Sequence, residues 1–209
     1  MPDADLKLGL RERKKIETRK ALAEAAIRLS VERGYDNVTV DDIAERAGVS
    51  TRTFFNYFPA KEDAVLRPDD DPIAETQRIL DEFAAVPAEV GTFRAFATAM
   101  RSAALRIDRE ADEWLVRVSI IENDPGLIVK MFSARRETER MTCEAIAARA
   151  GVDPDDYYPA LIFAAVGAAF QAAIRRWFAK DGDASVTQLF DEAIASIAAG
   201  LPQPKGEQK

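Results

Sequence analysis

Glycine and proline divide residues 12–66 into short helical segments, and this division constrains the fold more than any other feature of the sequence. Apolar residues before Gly34 recur at helical spacing, which predicts a first helix of about 20 residues. Gly48 supplies a tight turn between two shorter segments, and the second of these has to end before Pro59. A long helix followed by two short helices across a glycine-containing turn is a helix-turn-helix arrangement.

Polar residues at the starts of these segments support the same division. Thr39 is a good N-cap, and Asp42 completes a Thr-x-x-Asp capping pattern, so a second helix is expected over roughly residues 40–47. Either Ser50 or Thr51 caps the third helix. The apolar spacing and the caps therefore predict the same three helices.

Helical patterns also dominate the rest of the chain, and no convincing strand alternation appears. They cover approximately residues 73–85, 90–107, 110–122, 125–149, 155–180 and 185–199. In the 155–180 helix, Asp153 is expected to be the N-cap and Pro154 the first helical residue. The predicted fold class is all-α.

The stretch RPDDDP at residues 67–72 is the clearest break in the sequence, because two prolines bracket three aspartates. We predict a helix-turn-helix domain with a basic N-terminal arm at residues 1–62. A larger helical domain follows at residues 63–202, and a disordered tail is expected at residues 203–209.

The composition excludes several kinds of catalytic and metal site. Histidine is absent and Cys143 is the only cysteine, which excludes Ser-His-Asp and Cys-His catalysis, histidine or cysteine-cluster metal sites and an internal disulfide. No acidic residues fall into a recognisable metal or acid–base spacing. We therefore expect no catalytic residues, no metal and no cofactor.

Charge is distributed unevenly along a chain whose net charge is -7. Residues 1–62 contain 12 Lys or Arg against 11 Asp or Glu, and the remaining residues contain 17 against 25. The basic run between Lys7 and Lys20 suits contact with an anionic polymer. The long low-charge stretch at residues 157–174 is rich in alanine, so we interpret it as a buried helix and expect no membrane span. No signal peptide is readable, and a cytoplasmic protein is expected.

The outer face of the third helix is the candidate base-reading surface. At about 100° per residue, Thr51, Arg52, Phe55 and Asn56 fall within one arc of about 140°, opposite Phe54. Arg52 can present a bidentate fork to guanine, and Asn56 can pair with adenine or a phosphate. Phe55 can lie against a thymine methyl group.

Other polar residues around this helix suit contacts with phosphates, which position a protein on DNA without reading sequence. They are Thr39, Ser50, Thr53, Tyr57 and Lys61. The alternative for the two aromatic residues, Phe55 and Tyr57, is that they extend the apolar core.

These segments resemble the DNA-binding domain of the TetR family of bacterial transcriptional regulators. The similarity covers residues 12–66 and includes Gly34-Tyr35, Thr39, Gly48-Val49-Ser50 and the closing pattern Phe55-x-Tyr57-Phe58-x-x-Lys61. The family usually has Leu-Tyr where this chain has Phe54-Phe55. Phe55 therefore lacks a hydroxyl that can contact a base or a phosphate in relatives.

The resemblance implies a homodimer of all-α subunits. Each subunit would have a three-helix part that binds double-stranded DNA and a larger helical part that binds a small-molecule effector and dimerises. Two-fold symmetry would match a palindromic operator, with recognition helices about one DNA turn, roughly 34–36 Å, apart. Repression that the effector relieves is the usual outcome in this family.

The 155–180 helix has two apolar faces. Phe163, Phe170 and Trp177 form a bulky stripe, whereas alanines form a flat face that another helix can approach closely. The candidate dimer-interface residues are Ala165, Ala168, Ala169, Ala172, Phe190, Ile194 and Ile197. The alternative is that both faces pack within one chain.

Aromatic residues of the second part are candidates for the wall of an effector pocket. They are Trp114, Phe132, Phe163 and Phe170. The alternative is that they are simple core residues, which is the commoner role of aromatic residues at helical spacing.

Residues 73–200 resemble a subgroup of these regulators typified by the mycofactocin-associated one, which implies an acyl-CoA-like ligand. Arg135, Arg136 or Arg140 would then meet an anionic head group. The spacing of these arginines favours a different role, namely ion pairs on a solvated helix face. The acidic partners at helical spacing are Glu137, Glu139 and Glu144.

The leading hypothesis is a ligand-responsive, dimeric DNA-binding repressor that a small, largely apolar effector releases from its operator. One alternative is an all-α enzyme with an incidental helix-turn-helix, which would depend on carboxylates, lysine, tyrosine or the single cysteine. The other is a DNA-binding module without an effector, which ligands would never stabilise against heat.

Overall fold

The computed structural model describes residues 9–66, 72–127 and 136–202, and this part of the chain is all-α, as predicted. No strand occurs in these residues. The helices are α1 (Leu10–Arg33), α2 (Val40–Arg46), α3 (Thr51–Phe55), α4 (Lys61–Leu66), α5 (Pro72–Ala85), α6 (Thr92–Arg109), α7 (Ala111–Glu122), α8 (Arg136–Ala150), α9 (Tyr157–Phe178) and α10 (Val186–Ala198). A 3-10 turn, Tyr35–Asn37, lies between α1 and α2.

Several predictions fall on residues outside the described part of the chain. They concern the tail at 203–209, most of the break at 67–72, Lys7 of the basic arm, Phe132 of the effector pocket and Arg135 of the head-group site. Of the predicted helix at 125–149, the structure describes residues 125–127 and α8.

The chain divides into two compact units. They are residues 1–72 with 116–134, and residues 73–115 with 135–209. The second half of α7 therefore belongs to the same unit as the helix-turn-helix, although it follows α6 in the chain. The predicted domains, 1–62 and 63–202, stay a prediction.

The core of the first unit includes residues from both of its chain segments. Leu22 of α1, Phe54 of α3 and Phe58 are fully buried in one apolar cluster. Ile120 of α7 and Leu127 belong to the same cluster. Burial of apolar side chains stabilises by about 1.5–3 kcal/mol each, so this contribution from α7 and the residues after it is substantial.

The caps of the first unit agree with the local signals in the sequence. Helix α1 ends where Gly34 adopts a φ of 79°, and the Thr39–Asp42 capping box at the start of α2 is complete. Ser50, one of the two predicted candidates, caps α3 by accepting a 3.1 Å hydrogen bond from the N–H of Thr53.

Two of the polar contacts in the second unit join distant segments of the chain through several hydrogen bonds each. Asp108, near the end of α6, accepts hydrogen bonds from the N–H groups of Val186 and Thr187 at 2.7 and 3.1 Å and from the Ser185 hydroxyl at 2.8 Å. The free N–H groups at the start of α10 are therefore satisfied from another helix.

Arg149 of α8 makes the second contact. Its guanidinium donates hydrogen bonds to four backbone carbonyls between the end of α5 and the start of α6, and it lies 5.3 Å from the centroid of the Phe83 ring. The four acceptors are the carbonyl oxygens of Phe83, Val86, Pro87 and Val90, at 2.6–3.3 Å.

The predicted start of the 155–180 helix is wrong. Asp156 is the N-cap of α9 and accepts a 2.8 Å hydrogen bond from the N–H of Tyr158, whereas Asp153 accepts from the N–H of Asp155 in the preceding turn. The helix begins at Tyr157, so Pro154 lies outside it. Pro159 lies in the first turn, where a missing N–H breaks no helical hydrogen bond.

Two of the seven candidate dimer-interface residues are buried within the chain. Ala169 is 2% exposed and Phe190 is 1% exposed, and the Phe190 ring packs edge-on against Phe170 at 5.8 Å between centroids. These two residues face the chain's own core, so the prediction that they meet a second subunit is wrong. Ala168 and Ala172 are exposed, and Ala165, Ile194 and Ile197 are half-buried.

The uncovered face of α9 is largely apolar. Its exposed residues, which fall within an arc of about 160°, are Tyr157, Ala160, Leu161, Ala164, Ala168, Gln171, Ala172, Arg175 and Arg176. Among the described helices, α9 is long and apolar enough to span a membrane by length and composition, with a mean hydropathy of 1.5 over a stretch that is 28% buried. Helices that pack against protein pass the same test.

Candidate nucleic-acid interface

The turn between α2 and α3 brings the two helices together over a small apolar wedge. Gly48 has a φ of 69°, a backbone conformation that is strained for any residue with a Cβ atom. The N–H of Val49 donates a 2.9 Å hydrogen bond to the Ala44 carbonyl. Ile43, Ala44 and Phe54 are buried beneath this turn. With Phe54 inside, the opposite side of α3 faces outward.

Arg52, Phe55 and Asn56 occupy the exposed side of α3, and the side chain of Phe55 is 53% exposed. Thr51, the fourth residue of the predicted arc, is half-buried. Its hydroxyl donates a 2.6 Å hydrogen bond to the Asp41 carboxylate of α2. The Thr51 hydroxyl is therefore already engaged, which the sequence did not predict.

Three more hydroxyls of the predicted phosphate contacts, those of Thr39, Ser50 and Thr53, are also engaged within the protein. The Ser50 and Thr53 hydroxyl oxygens lie 2.8 Å apart and hydrogen-bond to each other. The Thr39 hydroxyl donates to Asp42 in the capping box, and this bond lowers the pKa of the Asp42 carboxyl. The Thr39 hydroxyl hydrogen is thus engaged, whereas one of the two hydroxyls of the Ser50–Thr53 pair keeps a hydrogen that it can donate to a phosphate.

Lys61 is half-buried and contacts other residues of the first unit. Its ammonium group donates to the carbonyl oxygens of Tyr35 and Val38, both at 2.9 Å, and lies 4.0 Å from the centroid of the Tyr35 ring. Two of the three ammonium hydrogens thus have acceptors within the protein, and the phosphate contact of Lys61 stays a prediction.

Arg19 of α1 plays a comparable role at the end of α3. Its Nη1 donates a 2.6 Å hydrogen bond to the Tyr57 carbonyl, and its guanidinium lies 4.2 Å from the centroid of the Phe58 ring. This contact was not predicted from the sequence, because its acceptor lies 38 residues away in the chain.

A groove of about 990 Å³ separates the N-terminal half of α1 from the C-terminal end of α3. Its lining residues are Arg11, Lys14, Lys15, Thr18, Thr53, Asn56 and Tyr57. The three cations recur at i, i+3 and i+4, so they share one face of α1. The basic run predicted to meet an anionic polymer thus lies beside the reading helix, an arrangement that sequence periodicity could not reveal.

Two ion pairs fix α2 against the C-terminal end of α1. Arg46 pairs with Glu32 through two hydrogen bonds at 2.6 and 3.0 Å, and Arg33 lies 3.4 Å from Asp42. The hydrogen bond from Arg46 is the main cause that lowers the pKa of Glu32. These pairs are exposed, so they contribute more to orientation than to stability.

Tyr35 links the helix-turn-helix to the chain segment after α7. Burial raises the pKa of the Tyr35 hydroxyl above its ordinary value, and the carboxylates of Glu62 and Asp124 raise it further. Tyr35 stays neutral at physiological pH, so its ring acts as the apolar and π surface on which Lys61 rests.

The predicted effector residues occupy mixed environments in the second unit. Trp114 and Phe163 are half-buried, and Phe170 packs on Phe190. A separate groove of about 530 Å³ runs between α6 and α10, and none of the predicted pocket residues lines it. Within the described residues, no group of three or more acidic or cysteine side chains could hold a metal ion.

Of the predicted head-group arginines, Arg140 makes the ion pairs that its helical spacing favoured. Arg140 pairs with Glu137 and Glu144, each at 2.6 Å, on an exposed face of α8. Arg136 is exposed. Arg140 therefore belongs to a solvated ion-pair cluster in this structure.

Two known protein families match successive parts of the chain. The family described as bacterial regulatory proteins, tetR family, matches residues 22–67. The family described as MftR C-terminal domain matches residues 90–202. Both matches agree with the resemblances found in the sequence.

Curated relatives match over almost the whole chain. The HTH-type transcriptional regulator TcmR of Streptomyces glaucescens is 32% identical over 198 residues, which cover 90% of this chain and 86% of that protein. The mycofactocin biosynthesis transcriptional regulator MftR of Mycobacterium tuberculosis is 23% identical over 189 residues, which cover 90% of this chain and 93% of that protein.

Solved structures of similar proteins share the fold. SmeT in its triclosan complex has a TM-score of 0.61 at 14% identity, with 91% of this chain and 100% of that chain covered. FadR of Thermus thermophilus, in complex with lauroyl-CoA, has a TM-score of 0.53 at 21% identity, with 91% and 98% covered.

Proposed function

The chain belongs to the TetR family of bacterial transcriptional regulators, and on that premise we propose that it is a dimeric repressor that a small, largely apolar effector releases from a palindromic operator. A cytoplasmic location follows from this role, since the operator is chromosomal DNA. The named relatives are regulators and not enzymes.

The exposed arc of Arg52, Phe55 and Asn56 beside the basic groove is the observation that carries the proposal. In the proposed complex, α3 lies in the major groove and this arc faces the base edges. Arg11 and Lys14 of α1 contact phosphates of the adjacent backbone and set the position of α3. Phosphate contact is thus assigned to α1 in addition to the polar residues predicted around α3.

A second copy of the chain is the proposed cover for the exposed face of α9. A second helix that removes the apolar surface of Leu161 and the neighbouring alanines from water would stabilise the association of two subunits. The small side chains of Ala168 and Ala172 allow close approach of an identical helix around a two-fold axis. Dimers are typical of this family, and two copies of α3 are what a palindromic operator requires.

The effector is proposed to be an acyl-CoA-like molecule or another largely apolar compound. The similarity of residues 90–202 to the MftR C-terminal domain supports this class, as does the lauroyl-CoA complex of a protein with the same fold. Trp114, Phe163 and Phe170 remain the predicted pocket residues. To change operator occupancy from about 99% to about 1%, the effector must favour the DNA-free conformation by about 5.5 kcal/mol.

Selection of binding sites from random-sequence DNA, followed by affinity measurements, tests the proposed function. The protein should enrich a palindrome, and Arg52→Ala should weaken binding to it by about 1–3 kcal/mol while relaxing the preference at one base position of each half-site. Equal losses on the palindrome and on random DNA would refute base reading by Arg52.

Identification of the effector needs a separate measurement. Mass spectrometry of small molecules that copurify with the protein, followed by their titration against the protein–operator complex, should identify a compound that lowers operator affinity. If no compound, including medium- and long-chain acyl-CoAs, changes operator affinity or melting temperature, the protein is a DNA-binding module without an effector.

A further inference from the structure

The reading face of α3 has few hydrogen-bonding groups available for bases. The Thr51 hydroxyl donates to Asp41, and the Ser50 and Thr53 hydroxyls bind each other. In the described part of the chain, the side chains of Arg52 and Asn56 are exposed and make no hydrogen bond to protein. Each of these two side chains can read one base pair by hydrogen bonds, so an apolar contact from the same helix would extend the reading to a further position.

Phe55 lies beside Arg52 on the helix surface, on the side away from Asn56. At about 100° per residue its side chain is about 60° from Arg52 and about 100° from Asn56. The ring is 53% exposed, and the fully buried ring of Phe54 holds it edge-on, with centroids 5.5 Å apart and an angle of 89° between planes. The exposed ring therefore has a defined support, and its free surface points outward with the reading arc.

A phenyl ring has no donor or acceptor, so in the major groove it can discriminate bases only by their apolar groups. The one apolar group there is the C5-methyl of thymine. A methyl at the same C5 position of cytosine presents the same surface, whereas uracil and unmodified cytosine lack it. The ring can therefore distinguish pyrimidines by the presence of a C5-methyl group.

We propose that Phe55 makes operator binding depend on a pyrimidine C5-methyl group in each half-site. The inference rests on the proposed function, because it requires that α3 enters the major groove. Replacement of the critical thymine by uracil removes one methyl contact and should weaken binding about fourfold per half-site and about 15-fold for both, the effect of one buried methyl group per site. An operator with 5-methylcytosine at the same position should be bound more tightly than one with cytosine, by a similar factor.

The test uses the full-length protein and the operator that it selects from random DNA. Each thymine of that operator is replaced singly by deoxyuridine, and dissociation constants are measured with the wild type, Phe55→Leu and Phe55→Ala. We expect one thymine per half-site at which replacement by uracil weakens DNA binding by the wild type and by Phe55→Leu about fourfold. The same replacement should leave DNA binding by Phe55→Ala unchanged. Because Phe55 is exposed, these variants should fold, and circular dichroism and thermal denaturation check that they do.

The outcomes separate the inference from the proposed function. If the wild type selects a palindrome but no uracil substitution acts through residue 55, methyl recognition by Phe55 is overturned and DNA binding stands. If no sequence is enriched at all, the proposed function fails and the inference fails with it. Uracil sensitivity that is equal in the wild type and in Phe55→Ala would place the methyl contact on another residue and would also overturn the inference.

Discussion

The ammonium group of Lys61 lies 4.0 Å from the centroid of the Tyr35 ring and donates a 2.9 Å hydrogen bond to the Tyr35 carbonyl. A second hydrogen bond of the same length reaches the Val38 carbonyl. Lys61→Met should therefore lower the free energy of unfolding by about 2 kcal/mol, because two part-buried carbonyls lose a charged donor. Urea denaturation followed by circular dichroism measures this loss.

Lys14→Met is the matched control, since Lys14 is exposed on α1. Its free energy of unfolding should stay within about 0.5 kcal/mol of the wild type. A Lys61→Met protein of wild-type stability, with a weakened salt dependence of DNA binding, would contradict the structural role of Lys61.

The basic groove between α1 and α3 predicts how Lys14→Met affects DNA binding. Loss of one phosphate contact should weaken binding to operator and to random DNA by the same factor and reduce the slope of log K against log salt by about one unit per subunit. Dissociation constants measured at several salt concentrations give this slope. Arg94→Met, an exposed change on α6 of the second unit, should leave it unchanged.

Arg149 predicts a different kind of sensitivity. Because one guanidinium spans four carbonyls, Arg149→Met should destabilise the protein by about 3 kcal/mol, and Arg149→Lys should recover only part of this, since an ammonium group places its donors at one point. Thermal and urea denaturation measure both changes. Arg140→Lys on the same helix should have no measurable effect, and similar losses at the two positions would contradict the assignment.

Asp108 makes the stability of the second unit dependent on pH. Partial burial acts to raise the pKa of Asp108, but hydrogen bonds from Thr187, Ser185 and Val186 outweigh it and lower the pKa below its ordinary value. A carboxyl group whose pKa is lower in the folded state stabilises the folded state at pH values above its unfolded pKa of about 3.9. This stabilisation is lost as the pH falls through the folded pKa.

Asp108→Asn should therefore cost about 1 kcal/mol at pH 7, the usual contribution of a helix cap, and the difference from the wild type should shrink below about pH 4. Urea unfolding at pH 7 and pH 3.5 measures both values. Asp191→Asn, which removes an exposed ion pair with Arg101 in the same groove, should cost less than about 0.5 kcal/mol at either pH. A pH-independent loss at Asp108 would contradict the assignment.

The exposed stripe of α9 predicts the effect of a charge at the proposed subunit interface. Ala168→Glu should dissociate the dimer because it buries an unpaired carboxylate, while the monomer remains folded with its helix exposed. Sedimentation equilibrium measures the association constant. Ala148→Glu, the same change at an exposed position of α8, should leave the dimer intact, and an unaffected dimer in Ala168→Glu would refute this interface.

Much of the helix-turn-helix could be predicted because its signals are local. Gly34, Gly48 and Ser50 terminate or begin helices through bonds that reach no further than five residues. The contacts of Lys61, Arg19 and Arg149 could not be predicted in this way. Their partners are 23 to 66 residues away in the chain, and no spacing pattern connects them.

The sequence by itself determined the all-α class, the start of α2 and the side chains that share the outer arc of α3. These depend on periodicity and capping within a few residues. The tertiary structure decided which of those groups remain available. Asp41 engages Thr51, and Phe190 packs inside the chain rather than on a second subunit. Availability depends on which distant side chains approach, and only packing of the folded chain determines that.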